Sequence, residues 1–186
     1  VSYPTISPDG SRIAFTYRGD IYSVSSDGGE ANRLTFHKAH DYKAVWGSDS
    51  KNIAFASNRY GNFDIYLMSA LGGAAKRLTF HSSDEEPYTF TADNTAILFK
   101  GNRMDTVEHR QYPTQRLPEL YSVPATGGSV AQVLTVSAEE VQFNNNGSQF
   151  VYQDLGADNP WRKHHISAAT RDIWTYDTGT CPYHTL

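Results

Sequence analysis

The sequence predicts an all-β chain of four consecutive antiparallel meanders, each with four strands. Three observations carry this: β-forming runs closed by turn residues, repetition of residue types in register, and the lack of any window for a long helix. All three are clearest between Tyr42 and Thr79. There AVW runs into Gly47-Ser48-Asp49-Ser50, IAFAS into Asn58-Arg59-Tyr60-Gly61-Asn62, and DIYLMS into Leu71-Gly72-Gly73, with a last run from Lys76 to Phe80. Runs of β-branched and aromatic residues separated by Gly, Asn, Asp and Ser read as strands joined by tight turns. The turn signals recur too often for a 3.6-residue period to develop.

The copies superpose by spacing. Ile6, Trp46, Phe90 and Phe143 mark the first strands, expected innermost. Seven residues on stand Ile13, Ile53, Ile97 and Phe150, and two further on Phe15, Phe55, Phe99 and Tyr152. The turn between these strands holds Asp9, Asp49, Asp93 or Asn146, followed by Gly10, Ser50, Asn94 or Gly147. Gly and Asn tolerate positive φ there, and Ser50 is the weak copy. Third strands open with an acid: Asp20, Asp64, Glu119 and Asp172. These acids are expected to accept hydrogen bonds from the preceding turn's amides. Gly28-Gly29, Gly72-Gly73, Gly127-Gly128 and the degraded Gly179-Thr180 then turn the chain, and Leu34, Leu78, Leu134 and Leu186 mark the outer strands. Four-stranded units at this pitch are β-propeller blades, with boundaries near residues 1–36, 37–80, 81–136 and 137–186. An ordinary β-sandwich also spaces its strands regularly but has no reason to repeat identities in register.

The pattern SPDG, IAF, RxGxxDIY, GG, RLT resembles the WD40-like repeat of TolB and of the tricorn protease propellers. LPELYSVPATGG (Leu117 to Gly128) and NPWRKHHISAATRDIWTYD (Asn159 to Asp177) narrow it to the N-terminal propeller of tricorn-type serine peptidases. The resemblance runs from Tyr3 to Asp177. It implies a six-bladed ring, so about two blades would complete these four, the last of them truncated because Leu186 falls inside an outer strand. Exposed blade faces then predict self-association. The resemblance also implies a periplasmic or exported protein, with the remaining blades and a PDZ-containing peptidase region as partners.

Composition agrees. The chain has 186 residues, 13% of them aromatic, which suits stacked β blades. A formal charge of −4 and a pI near 5.9 argue against a nucleic-acid partner. Cys181 is the single cysteine, so no intrachain disulfide can form. No apolar run approaches the ~20 residues of a membrane span.

Catalytic readings are weak. His37-x-x-His40 and His164-His165 lack convergent partners for zinc, so no metal or other cofactor is expected. Asp84-Glu85-Glu86 reads as a solvated turn rather than a glycosidase pair. No GxSxG elbow occurs. The segment itself is expected to be non-catalytic.

The informative variation is in one connection. From the second to the third strand it measures five positions in the first blade (Phe15 to Asp20), nine in the second (Phe55 to Asp64), and twenty in each of the others (Phe99 to Glu119, Tyr152 to Asp172). Loops that lengthen on a constant scaffold tend to carry function. These loops and the blade-to-blade connections His37 to Tyr42, His81 to Pro87 and Val136 to Glu140 share one face. Lys100 to Pro118 has a net charge of +2 and Gln153 to Arg171 of +1, leaving −7 on the rest. A basic rim on an acidic body suits acidic groups such as a peptide carboxylate. The candidate peptide-binding residues are Trp161, Arg162, Lys163, His164 and His165 with Arg103, Arg110 and Arg116. Trp161 is expected exposed, and Trp174, at the Tyr22/Tyr66/Tyr121 position, in the core. The leading reading is a propeller segment that recognises or gates peptide substrate for a tricorn-like serine peptidase. The alternatives are a TolB-like protein-binding scaffold without an enzyme and, least supported, a self-sufficient hydrolase.

Overall fold

The computed structural model describes residues 1–103, 118–144, 146–154 and 172–179. The described residues contain strands and turns but no helix. Blade 1 is β1 (Ser2–Ile6), β2 (Arg12–Tyr17), β3 (Asp20–Ser25) and β4 (Asn32–Arg33). Blade 2 is β5 (Asp41–Trp46), β6 (Asn52–Ser57), β7 (Asp64–Ser69) and β8 (Lys76–Arg77). Blade 3 is β9 (Glu86–Phe90), β10 (Ala96–Gly101), β11 (Glu119–Pro124) and β12 (Ala131–Ser137). Blade 4 has β13 (Glu139–Phe143), β14 (Gln149–Gln153) and β15 (Ile173–Asp177) among the described residues. Every sheet is an antiparallel meander in chain order. The first strands lie side by side in sequence, β1 by β5, β5 by β9 and β9 by β13, as in a propeller. The expected Leu186 position lies outside the described residues.

The first turn of each blade explains its repeated residues. Asp9, Asp49, Asp93 and Asn146 each accept a hydrogen bond through Oδ1 from the backbone N–H two residues on, at 2.9–3.0 Å. The residue after each has positive φ: Gly10 (73°), Ser50 (58°), Asn94 (59°) and Gly147 (71°). In blades 2 and 3 this residue also grips the preceding blade. Ser50 Oγ accepts from the Asp9 amide, and Asn94 Oδ1 accepts from the Ser48 amide at 2.6 Å while its Nδ2 donates to Ser48 Oγ. Gly147 lies flush on blade 3, where an added Cβ would come within 2.7 Å of Ala92 Cβ.

The core is built between blades rather than within them. Ala14, Ile21 and Leu34 of blade 1 pack against Trp46, Ile53, Phe55, Tyr66 and Met68 of blade 2. Ala54, Ile65 and Leu78 meet Phe90, Ile97, Phe99, Tyr121 and Val123 of blade 3. Tyr88, Leu98 and Leu120 meet Ala138, Val141 and Phe150 of blade 4. A Phe–Tyr pair recurs across the second and third strands, Phe15–Tyr22, Phe55–Tyr66 and Phe99–Tyr121, with centroids 5.8–5.9 Å apart.

Two expectations are corrected here. Three of the acids that open the third strands are held by the outer strand. Asp20 pairs with Arg33 at 2.8 Å and Asp64 with Arg77 at 2.7 Å, and Glu119 accepts from Gln132 Nε2 at 2.9 Å. For Asp20 and Asp64 an arginine on the neighbouring strand offers a charged donor, which outcompetes neutral amides for a covered carboxylate. Trp174 is not core. It is 50% exposed, and its Nε1 donates to Asp154 Oδ2. In blades 2 and 3 the equivalent tyrosines lie under the guanidinium groups of Arg59 and Arg103. In the sequence the position four residues after Tyr152, where blades 2 and 3 have Arg59 and Arg103, is Gly156, which lies outside the described residues.

The outer strands β4 and β8 are shorter than the sequence run suggests. Leu34 and Leu78 still donate to Ile21 and Ile65 carbonyls at 2.8 Å. Thr35 and Thr79 then accept from the Ile21 and Ile65 amides through Oγ1. The hydroxyl takes the place of a ladder carbonyl, so pairing ends there.

Candidate functional site

The face that gathers the second-to-third loops and the blade-to-blade connections carries a polar cavity of about 560 Å3. The connection after blade 2 supplies Ser82, Ser83, Asp84 and Glu86, and the end of β10 supplies Lys100, Gly101 and Asn102, with Pro118 at the edge. The connection is set by blade 2. Asn62 Nδ2 donates to the carbonyls of His81 (2.7 Å) and Ser83 (3.1 Å), and the Phe63 amide donates to Asp84 Oδ1 at 2.9 Å. The Glu85 amide donates to the Phe63 carbonyl.

Asp84-Glu85-Glu86 is therefore not a solvated turn. Glu85 is fully buried, and its Oε1 accepts from Arg103 at 2.6 Å. Burial pushes the Glu85 carboxyl up, and Arg103 holds part of that rise back. Glu86 Oε2 is shared by Lys43 at 3.1 Å and Lys100 at 3.2 Å. Burial opposes the Glu86 charge, but the two ammonium groups outweigh it and hold the carboxyl below its usual range. The Lys43 ammonium also sits 4.8 Å from the Tyr88 ring centroid. Burial and nearby acids, Glu86 among them, push the Tyr42 and Tyr88 hydroxyls well up, so both stay protonated.

Blade 2 carries a second copy of the buried pair. Asp41, fully buried, bonds Arg59 at 3.0 Å, and Arg59 lies over Phe55 and Tyr66 as Arg103 lies over Phe99 and Tyr121. Both pairs are separated by 18 residues. That repeat was readable in the sequence once the blades were aligned.

A further feature has no signal at the level of residue type. The first strand carries a register shift in every blade. Three residues before the marker, Tyr3, Lys43 and Glu140 adopt φ of 51–54°. Blade 3 has Pro87 there, which cannot take positive φ. Bulges break the free edge of a strand and re-aim its side chains. This one brings Lys43 across to Glu86 of the next blade.

Of the predicted peptide-binding residues, Arg103 is placed: its guanidinium is engaged with Glu85 and stacked over two rings. Arg110, Arg116, Trp161, Arg162, Lys163, His164 and His165 lie outside the described residues. Among the described residues, no group of three or more His, Cys, Asp or Glu could hold a metal ion, and no helix is long and apolar enough to cross a membrane.

The model of the tricorn protease N-terminal β-propeller domain matches residues 1–186. The chain belongs to that family. Among solved structures, this tricorn-family propeller is similar to TolB from Acinetobacter baumannii, with 22% identity over 97% of this chain and 41% of that one and a TM-score of 0.70. It is similar to the tricorn protease, with 20% identity over 94% of this chain and 17% of that one and a TM-score of 0.72. A putative TolB from Agrobacterium tumefaciens shares 17% identity over 95% of this chain and 76% of that one, with a TM-score of 0.56. The chain thus spans less than half of the A. baumannii protein and a small part of the protease. No curated protein matches it.

Proposed function

We propose that this tricorn-family propeller is a non-catalytic segment that recognises peptide and passes it to a serine peptidase region, in an exported or periplasmic protein. The observation that carries the reading is the polar cavity on the loop face, preorganised by Glu85–Arg103 and Lys43–Glu86–Lys100. Its walls supply hydroxyls, an amide and both signs of charge, which is what an extended peptide backbone with its ends requires. The family match supports the setting, since the tricorn protease carries such a domain. The likeness to TolB, at 22% identity, is one of fold.

Arg110, Arg116 and the 159–165 segment belong to the same proposal, with Trp161 as an aromatic platform and Arg162 and Lys163 as charges for a peptide carboxylate. His164 and His165 flank them, while Arg103 acts as a positioning residue through Glu85. The Arg162→Ala/Lys163→Ala double variant should keep its thermal midpoint, because loop charges contribute little to folding. Its affinity for an acidic peptide should drop about three- to tenfold at low ionic strength and less at high, as expected for screened charges. Titration of both proteins at two salt concentrations measures this. Equal affinity at both would remove the segment from the site.

A further inference from the structure

We propose that the axial cavity at the first-turn end of the propeller receives one uncharged, apolar side chain, of leucine or phenylalanine size, from an extended peptide. The inference rests on the peptide reading above and names a residue class that the chain selects. The cavity measures about 400 Å3 and is bounded by the first strands of all four blades. Ile6, Trp46, Phe90 and Phe143, which hold one register position in the repeat, converge on it, joined by Val45 and Ala92.

Charge decides what fits. No Lys, Arg, Asp, Glu or His is among the described residues that line the cavity, in a chain that is 19% charged. An ionised side chain entering it would lose water and meet no counter-charge on the residues that line it. An apolar one would cover surface that is still wet: Ile6 is 59% exposed on the wall while Trp46 and Phe90 are buried. Gln142, exposed on the lining, offers its side-chain amide to the peptide's own backbone.

Position ties this cavity to the polar one. The Tyr88 ring forms part of the axial wall, and the Lys43 ammonium that shares Glu86 sits over that ring. An extended chain along the axis therefore meets fixed charge at the loop face and an uncharged wall at the other end. Wall and charge are joined by one side chain.

The test uses isotope-labelled protein and capped seven-residue peptides of Gly and Ser with Phe, Gly or Asp at the centre. The Phe peptide should shift the amides of Ile6 and Phe143 and the Trp46 indole N–H. The Asp and Gly peptides should bind there at least about tenfold more weakly. Ile6→Asp should reduce affinity for the Phe peptide by about tenfold, with the remaining amide spectrum unchanged because the side chain is exposed. Shifts confined to Ser83, Lys100 and Asn102 would overturn the axial site while leaving peptide recognition standing. No shift in either region would overturn both.

Discussion

Arg103→Ala should destabilise the protein by about 3–5 kcal/mol near pH 7, because it leaves a fully buried carboxylate without its counter-charge. The arginine bonds Glu85 at 2.6 Å and also covers the Phe99 and Tyr121 rings, so packing is lost with the charge. The pH dependence follows from the sign of the Glu85 shift. Burial already raises this carboxyl, and the Thr79 hydroxyl and Arg103 hold part of that rise back. Without the arginine its folded-state value rises further above the unfolded one. A group raised in this way favours the folded state at low pH and loses that contribution as pH rises through its folded value. The penalty should therefore be greatest at neutral pH and shrink as Glu85 takes up a proton towards pH 4.5. Urea titrations at both pH values measure it. A penalty that is flat with pH would mean that Arg103 stabilises by packing alone.

Phe99→Ala should cost about 3–5 kcal/mol, the range for removing a buried aromatic ring. The ring is fully buried, packs Ala54, Ile65 and Leu78 of blade 2 against blade 3, and stacks on Tyr121 at 5.9 Å. Because the core lies between blades, the loss should loosen the blade 2–blade 3 contact rather than one sheet. Hydrogen exchange should report it as faster exchange at Ile65 as well as at Tyr121. Arg103 touches the same ring, so the Phe99→Ala and Arg103→Ala penalties should sum to more than that of the double variant. Strict additivity would contradict the shared stack.

The fold was legible because the repeat acts through local chemistry. An Asx residue followed by Gly or Asn specifies its own turn, and all four copies form it, Ser50 included. The site was less legible, for two physical reasons. Pairing between distant charges is invisible to local pattern. Asp84-Glu85-Glu86 looks like any acidic turn until Asn62 and Phe63 fold over it and Arg103 arrives from the neighbouring strand. The bulge in the first strands is set by pairing register, so Tyr3, Lys43 and Glu140 share a conformation without sharing a residue type. Trp174 shows the limit of the repeat: its register matches the buried tyrosines, but no arginine covers it among the described residues of blade 4.

The central claim is that the loop face recognises peptide without cleaving it. Incubation with a mixture of unstructured peptides tests it in one experiment, with mass spectrometry on the peptides and amide exchange on the protein. The account predicts intact peptides and slowed exchange at residues 82–86 and 100–102, which border the polar cavity. Cleavage that survives repurification and vanishes on replacing a single Ser or His, or unchanged exchange across that cavity, would contradict it.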